Sequence, residues 1–174
     1  MVKLLGADLF ARAAGIRLLV SDVDGVLTDA GVYYGAKGEK LKRFSMRDGM
    51  GVERLREAKI DTAFLTREDS PIVVQRAHKL RVSHTHLGVR DKAEFLARWL
   101  LNIGLSLTEV AYIGDDVNDV AALAWVAEAG LAACPNDAVS EVEAVVQFVT
   151  RARGGHGAFR EVCDLILSSR KEHT

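Results

Sequence analysis

Cysteine, proline and net charge are all scarce in this sequence. Its two cysteines, Cys134 and Cys163, lie in apolar surroundings without the spacing of metal ligands, so we expect buried, reduced thiols and a cytoplasmic protein. Lysine and arginine total 23 against 24 acidic residues, for a formal net charge of -1. This balance lacks the basic excess of proteins that bind nucleic acid or anionic membranes, and we predict neither as a partner.

Long apolar runs are also missing. No run approaches the ~20 residues that span a bilayer. Asp8 and Arg12 interrupt the short apolar stretches of residues 1–15, which excludes the hydrophobic region of a signal peptide. We therefore expect a soluble protein in which residues 1–15 form a short leading helix.

Nothing in the sequence marks a boundary between domains. Only two prolines occur, Pro71 and Pro135, and there is no low-complexity tract or internal repeat. A chain of 174 residues that is 49% hydrophobic is long enough for one well-filled core and too short for two ordinary domains. We predict a single domain over residues 1–174.

Apolar runs rich in β-forming residues alternate with helical patterns along the chain. The predicted strands are 17–20, 62–65, 110–113 and 145–149, with shorter candidates at 82–84 and 131–133. The predicted helices are 51–58, 71–80, 92–101, 117–127 and 158–167. Near-continuous apolar strands are typical of strands buried on both faces, and their alternation with helices predicts an α/β fold with a parallel sheet.

Two segments depart from this alternation. Residues 31–44 place β-forming residues on either side of a glycine-bracketed turn, which predicts a projecting β-hairpin over about 30–45. Near the end of the chain, glycines at 154, 155 and 157 precede the last helix. We interpret residues 151–174 as a glycine-rich tail followed by that helix, and glycine runs of this kind are commonly connectors.

Candidate functional residues follow the predicted strands. Ligands of parallel sheets bind beyond the carboxyl ends of the strands. Asp22 and Asp24 follow the first strand, two residues apart, and Gly25 allows a sharp exit of the chain. Thr66 follows the second strand, where its hydroxyl can donate to a phosphate oxygen, and Lys92 supplies a compact positive charge after a shorter strand.

A polar cluster follows the third long strand. Its members are Asp115, Asp116, Asn118 and Asp119. So many acids beside Asp22 and Asp24 are hard to justify without a bound cation, and hard oxygen ligands favour Mg²⁺. We expect Asp116 and Asp119 to orient Lys92 or the water ligands of the metal. The alternative is that Asp119 only caps the next helix and that Asp116 and Asn118 have no functional role.

These residues together predict hydrolysis of a phosphomonoester. Asp22 is the expected nucleophile on phosphorus, and Asp24 is expected to protonate the leaving alkoxide and then to deprotonate the hydrolytic water. Lys92 and Thr66 are expected to stabilise the equatorial oxygens of the transferring phosphoryl group.

The order and spacing of these residues resemble the motifs of a known superfamily. The four motifs of the haloacid dehalogenase (HAD) superfamily resemble Asp22–Thr28, Thr66, Lys92 and Gly114–Asp119. Within that superfamily, three further segments resemble the 3-deoxy-D-manno-octulosonate 8-phosphate phosphatase family: Arg47–Gly49, Ala111–Asp116 and Arg153–Glu161. The resemblance covers roughly residues 16–167.

This resemblance implies a Rossmann-like three-layer sandwich of the HAD type without a cap domain. It implies Mg²⁺ held by Asp22, Asp115 and the backbone carbonyl of Asp24. It also implies a small sugar acid phosphate as substrate, a place in lipopolysaccharide biosynthesis, and a homotetramer whose hairpins help to complete neighbouring active sites. The intervals between the motifs agree, because they leave no room for a cap domain.

The residues that would bind the sugar acid match the family less closely than the four motifs do. The candidates are Thr28, Arg47, Glu68, Arg76 and Lys79. The position after the threonine is usually glycine in the family and is Arg67 here. Octulosonate-phosphate members usually carry arginine at the position of Glu68, whereas relatives that act on nonulosonate 9-phosphates pair glutamate there with a lysine that matches Lys79. The substrate that we expect is a 2-keto-3-deoxy sugar acid phosphate, 3-deoxy-D-manno-octulosonate 8-phosphate, and a nonulosonate 9-phosphate is the alternative. The interpretation of Glu68 and Lys79 as solvated surface charges also stays open.

Other classes of protein share parts of this pattern. A signalling receiver also combines acids, a threonine and a lysine, but its phosphorylated aspartate lies on a later strand. A dehalogenase would leave Asp24 without a leaving alkoxide to protonate, and a phosphomutase normally needs a cap. A further alternative is a non-catalytic partner domain of a sugar nucleotidyltransferase, although the intact set of acids argues against it.

Overall fold

A six-stranded sheet forms the centre of the molecule. The computed structural model describes residues 6–171. Its strands are β1 Leu18–Ser21, β2 Thr28–Gly35, β3 Gly38–Phe44, β4 Asp61–Leu65, β5 His84–His86, β6 Val110–Ile113, β7 Leu131–Cys134 and β8 Phe148–Val149. Six of them form one sheet in the order β5-β4-β1-β6-β7-β8, and every neighbouring pair in it is parallel. The predicted α/β class with a parallel sheet is confirmed.

Helices cover both faces of this sheet. They are α1 Gly6–Ala14, α2 Met46–Glu57, α3 Pro71–Leu80, α4 Lys92–Ile103, α5 Val120–Ala127, α6 Ser140–Glu143 and α7 Ala158–Lys171. Helices α1, α2, α3 and α7 pack on one face, and α4, α5 and α6 pack on the other. Successive strand residues supply the two cores, since Leu19 belongs to the first and Val20 to the second. This confirms the three-layer sandwich.

The two remaining strands form the projecting hairpin. β2 and β3 pair antiparallel in a sheet of their own, with two shifts of register. Large apolar residues of the hairpin are exposed, among them Tyr33, Tyr34 and Leu41. Within residues 6–171, no element besides this hairpin lies outside the sandwich, which agrees with the predicted absence of a cap domain. None of the helices within residues 6–171 could span a lipid bilayer.

Some element boundaries differ from the sequence-based expectations. α5 begins at Val120 rather than at 117, because residues 116–119 form a turn closed by the hydrogen bond from Asp119 N to Asp116 O at 2.8 Å. The predicted strand 145–149 is reduced to β8, and α6 was not predicted. Short apolar runs do not distinguish a strand from a helical turn. The leading helix is observed as α1, and residues 1–5 of that prediction lie outside the described residues.

A carboxylate of α2 anchors the start of α7. Asp48 is 2% exposed, and its Oδ1 accepts a hydrogen bond from the backbone N–H of Arg160 at 2.9 Å. That N–H lies in the first turn of α7, where the helix itself offers no acceptor. Asp48 is therefore a helix cap supplied from a different helix, and it fixes where α7 begins.

Replacing this cap tests its contribution to stability. We expect Asp48→Ala to lower the free energy of unfolding by about 1–2 kcal/mol, because the buried N–H of Arg160 loses its acceptor. Urea unfolding followed by circular dichroism measures the change. Glu57→Ala, on the exposed side of the same helix, is the control and should change the stability by less than ~0.5 kcal/mol. Equal effects of the two substitutions would contradict the capping role.

Candidate active site

Three neighbouring strands bring the predicted residues to one edge of the sheet. Asp22 follows β1, Thr66 follows β4 and Asp115 lies just beyond β6, and β1 pairs with both of the other strands. The chain order reverses at β1, which makes this edge the topological switch point where such sheets bind ligands. A cavity of about 310 Å³ opens there. It is lined by Asp22, Asp24, Ala30, Thr66, Arg67, Glu68, Asp115, Asp116 and Asn118.

Lys92 lies beneath the acids of this cavity. Its side chain is fully buried, and its Nζ lies 2.8 Å from Asp22 Oδ2 and 2.6 Å from Asp119 Oδ1. The helix start is fixed by Asp91, whose Oδ1 accepts from the N–H of Glu94 at 2.9 Å. Burial works to lower the pKa of Lys92, but Asp22 and Asp119 outweigh it and raise the pKa above its ordinary value. Lys92 therefore stays charged.

Asp119 organises the acidic loop from below. It occupies the N-cap position of α5, yet its side chain makes no capping hydrogen bond to that helix. Oδ1 accepts from Lys92 and from the hydroxyl of Tyr112 at 2.5 Å, and Oδ2 accepts from the N–H groups of Asp115 at 3.1 Å and Asp116 at 3.4 Å. The structure therefore favours the orienting position over the helix-cap alternative. Sequence reasoning missed Tyr112, because a tyrosine inside an apolar strand has the pattern of a core residue.

The site carries more negative than positive charge. Carboxylate oxygens of Asp22, Asp115 and Asp119 all lie within 4.8 Å of one another, and Lys92 is the cation in contact with two of them. Burial raises the pKa of Asp22 well above its ordinary value, and Asp119 raises it further while Lys92 opposes the rise. Burial, followed by the charges of Asp119 and Asp116, raises the pKa of Asp115 to about 7. A divalent cation would relieve this excess.

The free oxygens of the cluster show which acids can hold a cation. Asp115 Oδ1 is buried and has no hydrogen-bond partner among the described residues, whereas both oxygens of Asp119 are already occupied by donors. Asp22 Oδ1 accepts from the N–H of Val23 at 2.7 Å. Gly25 leaves the space for Asp115, since a Cβ there would lie 1.8 Å from Asp115 Oδ2. The donor set is all oxygen, and it fits Mg²⁺.

Asp24 is held by a residue that sequence reasoning missed. Lys42, on β3 of the hairpin, donates to Asp24 Oδ1 at 2.6 Å and to Oδ2 at 2.7 Å. Thr28, a predicted substrate-binding residue, is fully buried and donates to Asp24 Oδ1 at 3.3 Å. Thr28 therefore lies behind Asp24 rather than among the residues that line the cavity.

Of the four other substrate-binding candidates, one lines the acidic cavity and three lie elsewhere. Glu68 lines the cavity beside Arg67. Arg76 donates to the backbone oxygen of Ser45 at 3.0 Å and lies over the ring of Phe44. Arg47 is exposed on α2. Lys79 lines a separate cavity of about 260 Å³ with Gly49, Glu53, Arg56, Leu80 and Arg81. Within one chain, only Glu68 of these four lies at the acidic cavity.

The glycine-rich tail packs against the loop that carries the acids. Gly155 N donates to Val26 O at 2.9 Å, and a Cβ on Gly154 would lie 1.8 Å from Gly25 O. The tail is therefore a packed support of residues 22–28 and not a free connector. Only glycine permits so close an approach of the two backbones.

A larger cavity lies elsewhere, beside β5 and α4. Its volume is about 630 Å³, and aromatic residues such as Phe95 and Trp99 contribute to its lining. It contains none of the three clustered carboxylates. The chemistry therefore belongs to the smaller cavity.

Comparisons with known proteins agree with this geometry. No family model matches the chain. The 3-deoxy-D-manno-octulosonate 8-phosphate phosphatase KdsC of Yersinia pestis is 42% identical over 160 residues, which are 92% of this chain and 84% of that protein. The KdsC protein of Escherichia coli K12 is 38% identical over 163 residues, covering 94% and 85%.

The chain belongs to the 3-deoxy-D-manno-octulosonate 8-phosphate phosphatase family. The predicted resemblance is thus confirmed, and the receiver and dehalogenase alternatives fall away.

Solved structures of this family have the same fold. The phosphatase of Moraxella catarrhalis, crystallised with magnesium, phosphate and KDO, has a TM-score of 0.91 at 34% identity and covers 97% of this chain and 95% of its own. The cobalt-bound phosphatase of Haemophilus influenzae has a TM-score of 0.86 at 37% identity and covers 92% of each chain. The capless HAD-like sandwich is therefore the fold of both.

The dependence of the melting temperature on pH, with and without Mg²⁺, tests the excess of negative charge at the site. A carboxyl whose pKa is raised on folding binds its proton more tightly in the folded chain, so its contribution to stability is lost as pH rises. Asp115, with a pKa of about 7, and Asp22 both act in this direction. In EDTA we expect the melting temperature to fall between pH 5.5 and pH 8. With Mg²⁺ it should fall less, so the gap between the two conditions should widen with pH.

Differential scanning fluorimetry measures this gap. We expect several degrees at pH 8, since about 1 kcal/mol shifts the melting temperature by about 2–4 °C in a chain of this size. Asp115→Asn is the matched variant and should abolish the gap. A gap that is equal at both pH values, or that persists in Asp115→Asn, would show that the acids are not its source.

Proposed function

We propose that this protein is a Mg²⁺-dependent phosphatase that hydrolyses 3-deoxy-D-manno-octulosonate 8-phosphate through an aspartyl-phosphate on Asp22. One observation carries the proposal: Asp22 lies at the switch point of the sheet, 2.8 Å from the buried ammonium of Lys92. It clusters there with Asp115, whose Oδ1 has no hydrogen-bond partner among residues 6–171. Membership of the family, with a relative crystallised with magnesium, phosphate and KDO, supports the reaction and the substrate.

We assign the metal to three groups of this chain. They are the carboxylates of Asp22 and Asp115 and the backbone carbonyl of Asp24. When bound, Mg²⁺ neutralises the repulsion between the nucleophile and the phosphate dianion. Asp119 is a support in this assignment, because Lys92, Tyr112 and two backbone N–H groups already use its oxygens.

The first half of the reaction forms the phosphoenzyme. An oxygen of Asp22 attacks phosphorus as the ester P–O bond breaks, and the bonding electrons go to the leaving sugar oxygen. Asp24 gives that oxygen its proton, so the sugar acid leaves as an alcohol. Lys92 and Thr66 face the equatorial oxygens, where they stabilise the charge that those oxygens carry.

The second half regenerates Asp22. Asp24, now a carboxylate, takes a proton from water as the water oxygen attacks phosphorus. The bond between phosphorus and Asp22 breaks, and inorganic phosphate leaves. Both chain carboxylates return to their starting protonation states, so the cycle balances.

The nonulosonate 9-phosphates form a second candidate substrate class. Glu68 lines the cavity where octulosonate-phosphate members usually carry arginine, and Arg67 stands beside it in place of glycine. These two residues border the space that the sugar acid would occupy. Lys79, the predicted partner of Glu68, lines a different cavity in the same chain, so the pair would have to meet across two chains.

We further propose a homotetramer in the cytoplasm. The exposed apolar residues Tyr33, Tyr34, Leu41, Met46 and Met50 gather on the hairpin and the start of α2, and patches of this kind mark protein interfaces. In such an assembly Arg47, Arg76 and Lys79 would serve the site of a neighbouring chain. The redox balance of the cytoplasm suits the two buried cysteines, Cys134 and Cys163.

Light scattering tests the assembly. We expect the wild type to elute from a sizing column as a tetramer, and Tyr33→Ser/Tyr34→Ser to shift it toward smaller species, because the exposed apolar surface at the hairpin is lost. Leu101→Ser, which replaces an exposed apolar residue of α4, is the control and should leave the mass unchanged. A monomeric wild type would refute this part of the proposal.

Phosphate release tests the chemistry. The wild type should release phosphate only with Mg²⁺, and Asp22→Asn should lower kcat by at least about 10³-fold because the nucleophile is gone. Asp8→Asn, an exposed acid on α1, should retain full activity. A wild type that releases no phosphate from any substrate would leave the non-catalytic partner domain as the better interpretation.

The same assay separates the substrate classes. We expect kcat/KM to be highest for octulosonate 8-phosphate among octulosonate 8-phosphate, nonulosonate 9-phosphates and simple sugar phosphates. A preference for a nonulosonate 9-phosphate that is lost in Glu68→Ala would instead favour the second class. Glu57→Ala controls for the loss of an exposed glutamate.

A further inference from the structure

Lys42 is a buried cation outside the predicted set of site residues. It lies on β3 of the hairpin, and its side chain is 1% exposed. Its Nζ donates to both oxygens of Asp24, at 2.6 Å and 2.7 Å. A buried ammonium is stable only when it is paired and hydrogen-bonded, and Asp24 supplies that pairing. The contact joins the hairpin to the loop that carries Asp22.

A bulge in the hairpin places a second residue beside Lys42. Tyr33 pairs with Leu41 and Tyr34 pairs with Glu39, so β3 has one residue more than β2 at this point. Such an extra residue reverses which face of the strand the preceding residue occupies. Glu39 thereby comes to the face of Lys42, and its Oε2 lies 3.8 Å from the ammonium.

Glu39 in turn contacts the start of α3. Its Oε1 accepts a hydrogen bond from the hydroxyl of Ser70 at 2.7 Å, and Ser70 is 1% exposed. A continuous string of polar contacts therefore runs from Ser70 through Glu39 and Lys42 to Asp24. It connects the end of the loop that carries Thr66 with the acid of the first motif.

The remaining contacts of Asp24 are weaker. Thr28 Oγ1 donates to it at 3.3 Å, a longer distance than either bond from Lys42. A charge-assisted pair of bonds to one carboxylate fixes both its position and its plane. Without Lys42, the bond from Thr28 is the hydrogen bond left to the Asp24 carboxylate among residues 6–171, and the carboxylate could turn away from the reacting oxygen.

We propose that Lys42 is a positioning residue that holds the Asp24 carboxylate toward the leaving oxygen of the substrate, in the same chain. The inference rests on the proposed phosphatase function. It gives the hairpin a role in its own active site, besides the interface role proposed above. Glu39 and Ser70 keep Lys42 in place.

Two substrates with different leaving groups can distinguish this positioning role from a general structural role. A sugar alkoxide needs the proton of Asp24, whereas p-nitrophenolate leaves readily without one. The ratio kcat/KM reports the steps up to release of the alcohol or phenol, so the shared hydrolysis of the phosphoenzyme does not enter it. General acid catalysis contributes about 10²–10⁴-fold, and misplacement of the acid forfeits part of that factor.

The experiment compares two substrates of the full-length, Mg²⁺-loaded protein. We expect Lys42→Met to lower kcat/KM for octulosonate 8-phosphate by about 10–100-fold and to change it little for p-nitrophenyl phosphate. Lys42→Arg should recover most of the loss, and Glu39→Gln should give a smaller loss with the same substrate dependence. Lys40→Met, an exposed lysine of the same strand, should behave as the wild type.

Each outcome bears on the proposal. In an Asp24→Asn background, Lys42→Met should lower kcat/KM no further, since it acts through Asp24. Equal losses on both substrates would show a structural role and overturn the proposal, and a further loss in the double variant would show direct contact with the substrate. If Lys42→Met fails to fold, the substrate dependence in Glu39→Gln decides. A wild type inactive on both substrates would overturn the phosphatase function and this inference with it.

Discussion

The buried ammonium of Lys92, shared between Asp22 and Asp119, is the interaction on which the rest of the site depends. Burying one carboxylate without a partner costs several kcal/mol, and this edge of the sheet buries two beside Asp115. One lysine offsets part of that cost and leaves an excess of negative charge. The parallel sheet holds the acids in place, because β1, β4 and β6 are adjacent and end at the same edge. This excess of negative charge favours the binding of a divalent cation, which can in turn bind a phosphate.

Three further contacts support the cluster of Lys92, Asp22 and Asp119. Tyr112 and Asp119 fix the loop of Asp115 from within the sheet, and the glycine-rich tail packs against the loop of Asp22 from outside. The hairpin approaches from above with Lys42. A capless fold has no separate lid, so rigidity at the site comes from these three contacts. Asp48 supports the glycine-rich tail in a similar way, since it caps α7, the helix that follows the tail.

The sequence could predict what depends on local pattern. Apolar strands end at Asp22, Thr66 and Asp115, and the strand-end rule found all three because parallel strands align their ends. Tyr112 and Lys42 could not be found in this way. The hydroxyl of Tyr112 matters only because a turn returns Asp119 to it. Lys42 contacts Asp24 only because the hairpin folds over the loop that carries Asp24, and a bulge brings Glu39 to the same face.

The errors in the predicted bounds of helices and strands have the same cause, because tertiary contacts override a local pattern. The helical pattern from Val117 did not reveal that Asp116–Asp119 would close a turn around the site. Arg47, Arg76 and Lys79 stay predictions, and their proposed role depends on a second chain. The resemblance to the family supplied the substrate class, which no pattern within one chain holds, and it suggested the assembly that we propose.

The central claim is that Asp22 carries the phosphoryl group between the two halves of the reaction. The most direct measurement is to mix an excess of enzyme and Mg²⁺ with octulosonate 8-phosphate, quench with acid within milliseconds, and map the peptides by mass spectrometry. We predict a phosphoryl group on the peptide of Asp22 that forms and decays at rates consistent with turnover. Phosphate release at full rate with no phosphorylated peptide, or with the group on another residue, would contradict the account.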